Sequence, residues 1–199
     1  MVNREIRENI ILPVAIHEMG HWITAEYYGD KSRRVRVKLT KNNEACGSAH
    51  HFLDKPLRNI EDVKNALFGQ IVIARAGLIA QHMKVDGFDA KGHDEDAKLR
   101  GLADILKATE LAIMLRCIQY PDDETYHDKD LHCRKILGDA FNKAIKIVNI
   151  NWQLIEKGAK NLVDKVEKHE KFYYLLEDEL EELKKLHPIK KDYDFKFAY

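Results

Sequence analysis

Cysteine, proline and glycine are all scarce: three, four and ten among 199 residues. Cys46, Cys117 and Cys133 are odd in number, widely spaced and free of any C-x-x-C pair. That excludes a disulfide framework and predicts a reducing, cytoplasmic setting. Net charge is also missing, with 33 basic residues against 33 acidic ones. A nucleic-acid binder acting through bulk charge would carry a basic excess, so no nucleic-acid partner is expected. No long apolar run opens the chain. Ile10 to Ile16 is short, contains Pro13 and follows Glu5, Arg7 and Glu8, which fits neither a signal peptide nor a membrane span. What the chain does have is 45% hydrophobic and 33% charged residues, the balance of one soluble folded domain.

Few breakers leave long periodic stretches. Pro13 to Tyr28 reads as a helix closed by Gly29-Asp30, since proline is tolerated in a first helical turn. Val35, Val37 and Leu39 alternate with Arg34, Arg36 and Lys38, the pattern of a half-buried strand with a basic outer face. Lys41-Asn42-Asn43 is a turn signal, and Ala45 to Phe52 is the candidate partner strand. The edge of the alternating strand from Val35 to Leu39 is a conceivable docking line for an extended peptide, but Arg34, Arg36 and Lys38 read better as a solvated face. Further helices are predicted from Ile60 to Val85, from Asp94 towards Leu115, from Asp128 to Val148 and from Trp152 to Leu186. Asp86 to Gly92 is read as a loop, and Pro121-Asp122-Asp123 as a break. Trp152, Ile155, Ala159, Leu162 and Val166 recur at core spacing, and Glu177 to Lys185 reads as a solvated face. The expected architecture is mostly α, with a small β-hairpin or sheet near the N-terminus and a C-terminal helical bundle. It is read as one domain over 1–199, with its chemistry in about 1–115 and further helices over about 126–187.

One motif carries chemistry: His17-Glu18-Met19-Gly20-His21, an H-E-x-x-H inside the first long helix. Residues four apart share a helix face, so both imidazoles can reach one metal ion. Glu18 sits about 100° further round, placed to take a proton from a metal-activated water. The competing reading is a helix that happens to hold two histidines and a glutamate. A catalytic zinc needs a third protein ligand, and the residues after His21 supply no further histidine. The remote candidates are His93-Asp94-Glu95-Asp96, then Glu26 and the pair His50-His51. Carboxylates near a helix start also serve as caps, so spacing alone leaves this choice open. His127, His132 and Cys133 have no metal-binding spacing.

The ordered set of Ala15 to His21, Val35 to Leu39 with Gly47, Ile71 to Ala80 and Gly92 to Asp96 resembles the peptidase domain of FtsH-type metalloproteases. That family is membrane-anchored and ATP-dependent. The resemblance implies a zinc metallopeptidase with His17, His21 and Asp96 as ligands, Asp94 as the second choice for the third, and Glu18 as general base. His82 and His93 rank behind Asp96 as ligands but are candidates for donors within the cleft. Met19 and Trp22 depart from the small residues the family prefers, as do Gln81 and His82 from a pair of acids. The motor is also absent from this sequence. Gly87 to Gly92 has the glycine spacing of a phosphate loop, yet His93-Asp94 replace the required Lys-Ser/Thr. The expected substrate is therefore an unfolded or flexible polypeptide, or one delivered by a separate unfoldase. The family's rings make a homo-oligomer a further expectation. The alternatives are a stand-alone protease that cleaves a regulator, and a non-catalytic, zinc-stabilised interaction module.

Overall fold

A computed structural model describes residues 2–84, 87–98 and 101–191. The N-terminal helix starts earlier than Pro13. Helix α1 (Arg4–Ile6) runs through a π-helical stretch, Arg7–Ile11, into α2 (Leu12–Tyr28). Pro13 has no N–H to give to the carbonyl four residues back, and its ring crowds that carbonyl. The wider π turn just before it accommodates both effects, and the Leu12 N–H bonds to the Arg7 carbonyl. Arg7 crosses to the end of a later helix, its Nη1 donating to the carbonyls of Val163 (2.9 Å) and Asp164 (3.2 Å). Gly29 ends α2 in the left-handed region, at φ 77°.

Strands β1 (Lys31–Leu39) and β2 (Ala45–Phe52) form the expected hairpin, with Val35, Val37 and Leu39 fully buried. A third strand, β5 (Phe172–Leu176), pairs antiparallel with the other edge of β1, giving the order β2-β1-β5. The expected helix from Trp152 to Leu186 is thus three elements: α7 (Trp152–Asp164), β5 and α8 (Glu177–Leu186). Charged residues from Lys165 to Lys171 mimic a solvated helix face, while Phe172 to Leu176 is an aromatic, alternating run with Tyr173 and Leu175 buried. Because β1 is central, its edges are not available to a peptide; Arg34 and Arg36 lie over the rings of Tyr174 and Phe172 instead.

Helix α3 (Ile60–Gln81) is the core of the fold, with residues 71–74 and 76–80 buried. Among the described residues it is the one helix long and apolar enough to cross a membrane, and here its buried residues pack inside the domain. It crosses α2 at Gly20, where a Cβ would lie 2.6 Å from Ala80 Cβ and 2.7 Å from the Ala76 carbonyl oxygen. Met19 and Trp22, bulky neighbours of the histidines, are buried in full, and Met19 rests on Gly158 of α7.

Past α3, Met83–Lys84 (β3) pairs with Gly87–Phe88 (β4). Helix α4 (Ala90–Ala97) follows, capped by Asp89, then α5 (Leu102–Gln119) and α6 (Tyr126–Ile150). The expected loop over Asp86 to Gly92 therefore contains a strand and a helix start. The expected helix from Asp94 is divided in two. Val85, Asp86 and Leu99 lie outside the described residues. One hydrophobic cluster joins residues from Val2 to Leu183.

Candidate metal centre

Helix α2 holds the two histidines by ordinary helical geometry, with ring centroids 4.7 Å apart. His21 Nδ1 lies 2.7 Å from the carbonyl oxygen of Ile73 on α3. A carbonyl only accepts, so Nδ1 carries the hydrogen and Nε2 of the neutral ring presents a bare lone pair. That Nε2 faces His17 Nε2 at 3.0 Å and Asp104 Oδ2 at 3.3 Å, while His17 Nε2 lies 3.0 Å from the same oxygen. Two imidazole nitrogens and one carboxylate oxygen thus lie within 4.8 Å of one another. Electron-pair donors converging on one point fit a divalent cation with three protein ligands, and the Ile73 carbonyl supplies the outer contact that orients a ligating imidazole.

The third residue is Asp104, in the first turn of α5. Asp96, the expected ligand, is not brought to the histidines. It lies near the end of α4, where Oδ2 accepts from Gln81 Nε2 and His82 Nε2, each at 3.0 Å. Asp94 is exposed and faces His93 Nδ1 at 3.1 Å. Glu26 is held by Lys184 at 2.7 Å, and His51 Nδ1 lies 3.4 Å from the buried Asp30. This placement of Asp96 follows from the early start of α4 at Ala90. It places Asp96 before the break, and the chain then restarts as α5 with Asp104 facing inward. Asp104 precedes Ala108 and Ala112 by four and eight residues, and both are fully buried. An acid heading the buried stripe of an otherwise apolar helix face is the signal that reveals it.

Helix α3 forms the floor beneath the histidines. A Cβ at Gly77 would overlap His21 Nε2 and lie 2.6 Å from His17 Nε2, so only glycine leaves the two rings their positions. Glycine also matters on the sheet side. A Cβ at Gly47 of β2 would lie 2.6 Å from Glu18 Cγ and 2.8 Å from its Oε1. Glu18 is buried against β2, and it accepts a hydrogen bond from the Ala49 backbone. His17 and Glu18 line an open cleft of about 520 Å³, walled by Asn9, Pro13 and Val14 on one side and Asn43 to Cys46 on the other.

The charges around the centre are coupled. Burial pushes the Asp104 carboxyl up, but hydrogen bonds from His17 and, when its ring is protonated at both nitrogens, from His21 outweigh it and hold the group well below the usual carboxylate range. Burial pushes His21 down, yet the hydrogen bond and charge of Asp104 raise it above the ordinary value of 6.5. Burial raises Glu18, against the opposing pull of His21 and His17.

A histidine raised in the folded state contributes stability in full below 6.5 and loses it as pH climbs through the raised value. Ionising the raised Glu18 likewise costs stability as pH climbs. Zinc needs the unprotonated imidazole, so its stabilising effect runs the other way. Metal-free protein is therefore expected to gain from these two groups at about pH 6 relative to about pH 8. The rise in Tm on adding zinc is expected to be larger at the higher pH. Calorimetry at both values checks this, and a larger zinc effect at the lower pH would contradict a ligand role for His21.

Compared with models of known protein families and with curated proteins, the sequence matches none.

Proposed function

We propose that this chain is a zinc-dependent metalloendopeptidase that acts on unfolded or flexible polypeptide. The observation that supports this most is the convergence of His17 Nε2, His21 Nε2 and Asp104 Oδ2 on one point, beside a cleft that His17 and Glu18 line. Two imidazoles and one carboxylate are the ligand set of a catalytic zinc with an open coordination position. When bound, zinc would polarise a peptide carbonyl and lower the pKa of a water to about 7. The chain's own residues do the rest. Glu18, with its proton affinity raised by burial, takes a proton from the attacking water and delivers it to the leaving amine nitrogen. The C–O bond forms first and the C–N bond breaks once its nitrogen has received that proton, so the proton count closes without another acid. The open cleft suits an extended chain better than a folded surface.

The likeness of His17 to His21 to the zinc helix of FtsH-type peptidases agrees with this reading, now with Asp104 as the third ligand. A separate unfoldase, a homo-oligomeric ring and a cytoplasmic setting are carried only by that likeness and by the cysteine pattern. The placement of Glu18 in the cleft favours catalysis over a purely structural zinc site, where all four positions on the metal are closed.

The test is hydrolysis of a casein-like unfolded chain by the purified protein. Cleavage that stops with a chelator and returns with one equivalent of zinc is expected. A protein that holds zinc and cleaves no unfolded chain would support the interaction-module reading instead. Cleavage that persists in excess chelator would contradict a metallopeptidase.

A further inference from the structure

Gln81 is the last residue of α3, one helical turn beyond the Gly77 that floors the histidine pair. It lines the same cleft as His17 and Glu18, which is also lined by Asn43 and Glu44 of the β1–β2 connection and by Ala45 and Cys46 at the start of β2. Its side-chain nitrogen donates to Asp96 Oδ2 at 3.0 Å, and His82 Nε2 lies 3.0 Å from the same oxygen. An ionised carboxylate accepts only, so the amide nitrogen, and not its oxygen, must face Asp96. That fixes the amide plane. One N–H and the carbonyl oxygen remain, and among the described residues the Gln81 side chain makes no other hydrogen bond.

Holding α4 onto α3 does not account for this arrangement. His82 already makes that link, through the same oxygen and at the same distance. A chain of arbitrary sequence offers a cleft only its repeating peptide groups, each with one donor and one acceptor. A carboxamide offers the complementary pair, and one held in a fixed plane loses less entropy on binding.

We propose that Gln81 binds substrate by hydrogen-bonding a backbone peptide group of the polypeptide in the cleft, and that Asp96, backed by His82, is the residue that positions it. The inference rests on the peptidase reading, and it gives Asp96 a task other than metal binding. Gln81 acts on the bound chain before and during reaction alike, so its loss raises KM and leaves kcat near its original value.

The experiment measures binding and turnover separately, using a fluorescein-labelled unstructured peptide and zinc-loaded full-length protein. Affinity is read by anisotropy in the Glu18→Gln background, and kcat and KM in the Glu18 background. Gln81→Ala is expected to weaken affinity about tenfold, the scale of one hydrogen bond to a fixed partner, with kcat within about twofold. Zinc content and Tm, followed alongside, report any loss of fold. Asp96→Ala is expected to weaken affinity similarly, and the double variant no more than either single one, because both act through one contact. Unchanged affinity in Gln81→Ala overturns the inference, as does an additive double variant. Wild-type protein that binds the peptide without cleaving it overturns the peptidase reading alone. Protein that binds no peptide overturns both.

Discussion

Glu18→Gln is expected to keep one zinc ion per chain and to hydrolyse peptide about a thousandfold more slowly, in the range that a positioned general base contributes. The two halves of this result have separate causes. Zinc is kept because the three converging donor atoms are those of His17, His21 and Asp104. A glutamine of the same shape still fits the space left by Gly47 and still accepts from the Ala49 backbone. Turnover is lost because an amide cannot take a proton from water. Burial already disfavours the ionised carboxylate, so the neutral amide is also expected to raise the Tm, a gain in stability at the cost of activity. Metal analysis, steady-state hydrolysis and a melting curve on one preparation check all three. Full turnover in this variant would remove Glu18 from the mechanism, whatever the fate of the zinc.

The sequence and the fold agree most closely where a period is strong and local. The hairpin of β1 and β2 and the helix over His17 to His21 follow from alternation and from the 3.6-residue repeat, and both occur at nearly the expected boundaries. What failed was long-range. Strand β5 pairs with β1, about 140 residues away, and a window over Lys165 to Leu186 contains no trace of that partner. The α4–α5 break failed for a related reason. Asp96 lies among several acids and resembles a ligand cluster, whereas Asp104 is a single acid between Ala103 and Ile105. Chemistry-dense stretches attract attention, but a lone charge on the buried face of an apolar helix is the more informative residue, since burying it demands a partner. The roles of Gly77 and Gly47 were equally hidden, because each is set by a side chain on another element.

The second large effect concerns Asp104 itself. Its carboxylate is ionised and directed at both imidazoles, so removing it takes away one of three ligands and the charge that offsets the metal's own. Asp104→Ala is expected to weaken zinc binding by a hundredfold or more, on the scale seen even for outer partners of metal ligands, about 10–100-fold. Asp96→Ala leaves all three donors in place, and its zinc affinity is expected to stay within about twofold of the original, well inside that range. The two aspartates are only eight positions apart, yet they are given opposite outcomes. Competitive zinc titration of wild type, Asp104→Ala and Asp96→Ala decides between them. One tight site that is lost only with Asp104 is the predicted result. Tight zinc retained by Asp104→Ala and lost by Asp96→Ala would contradict the metal centre described above.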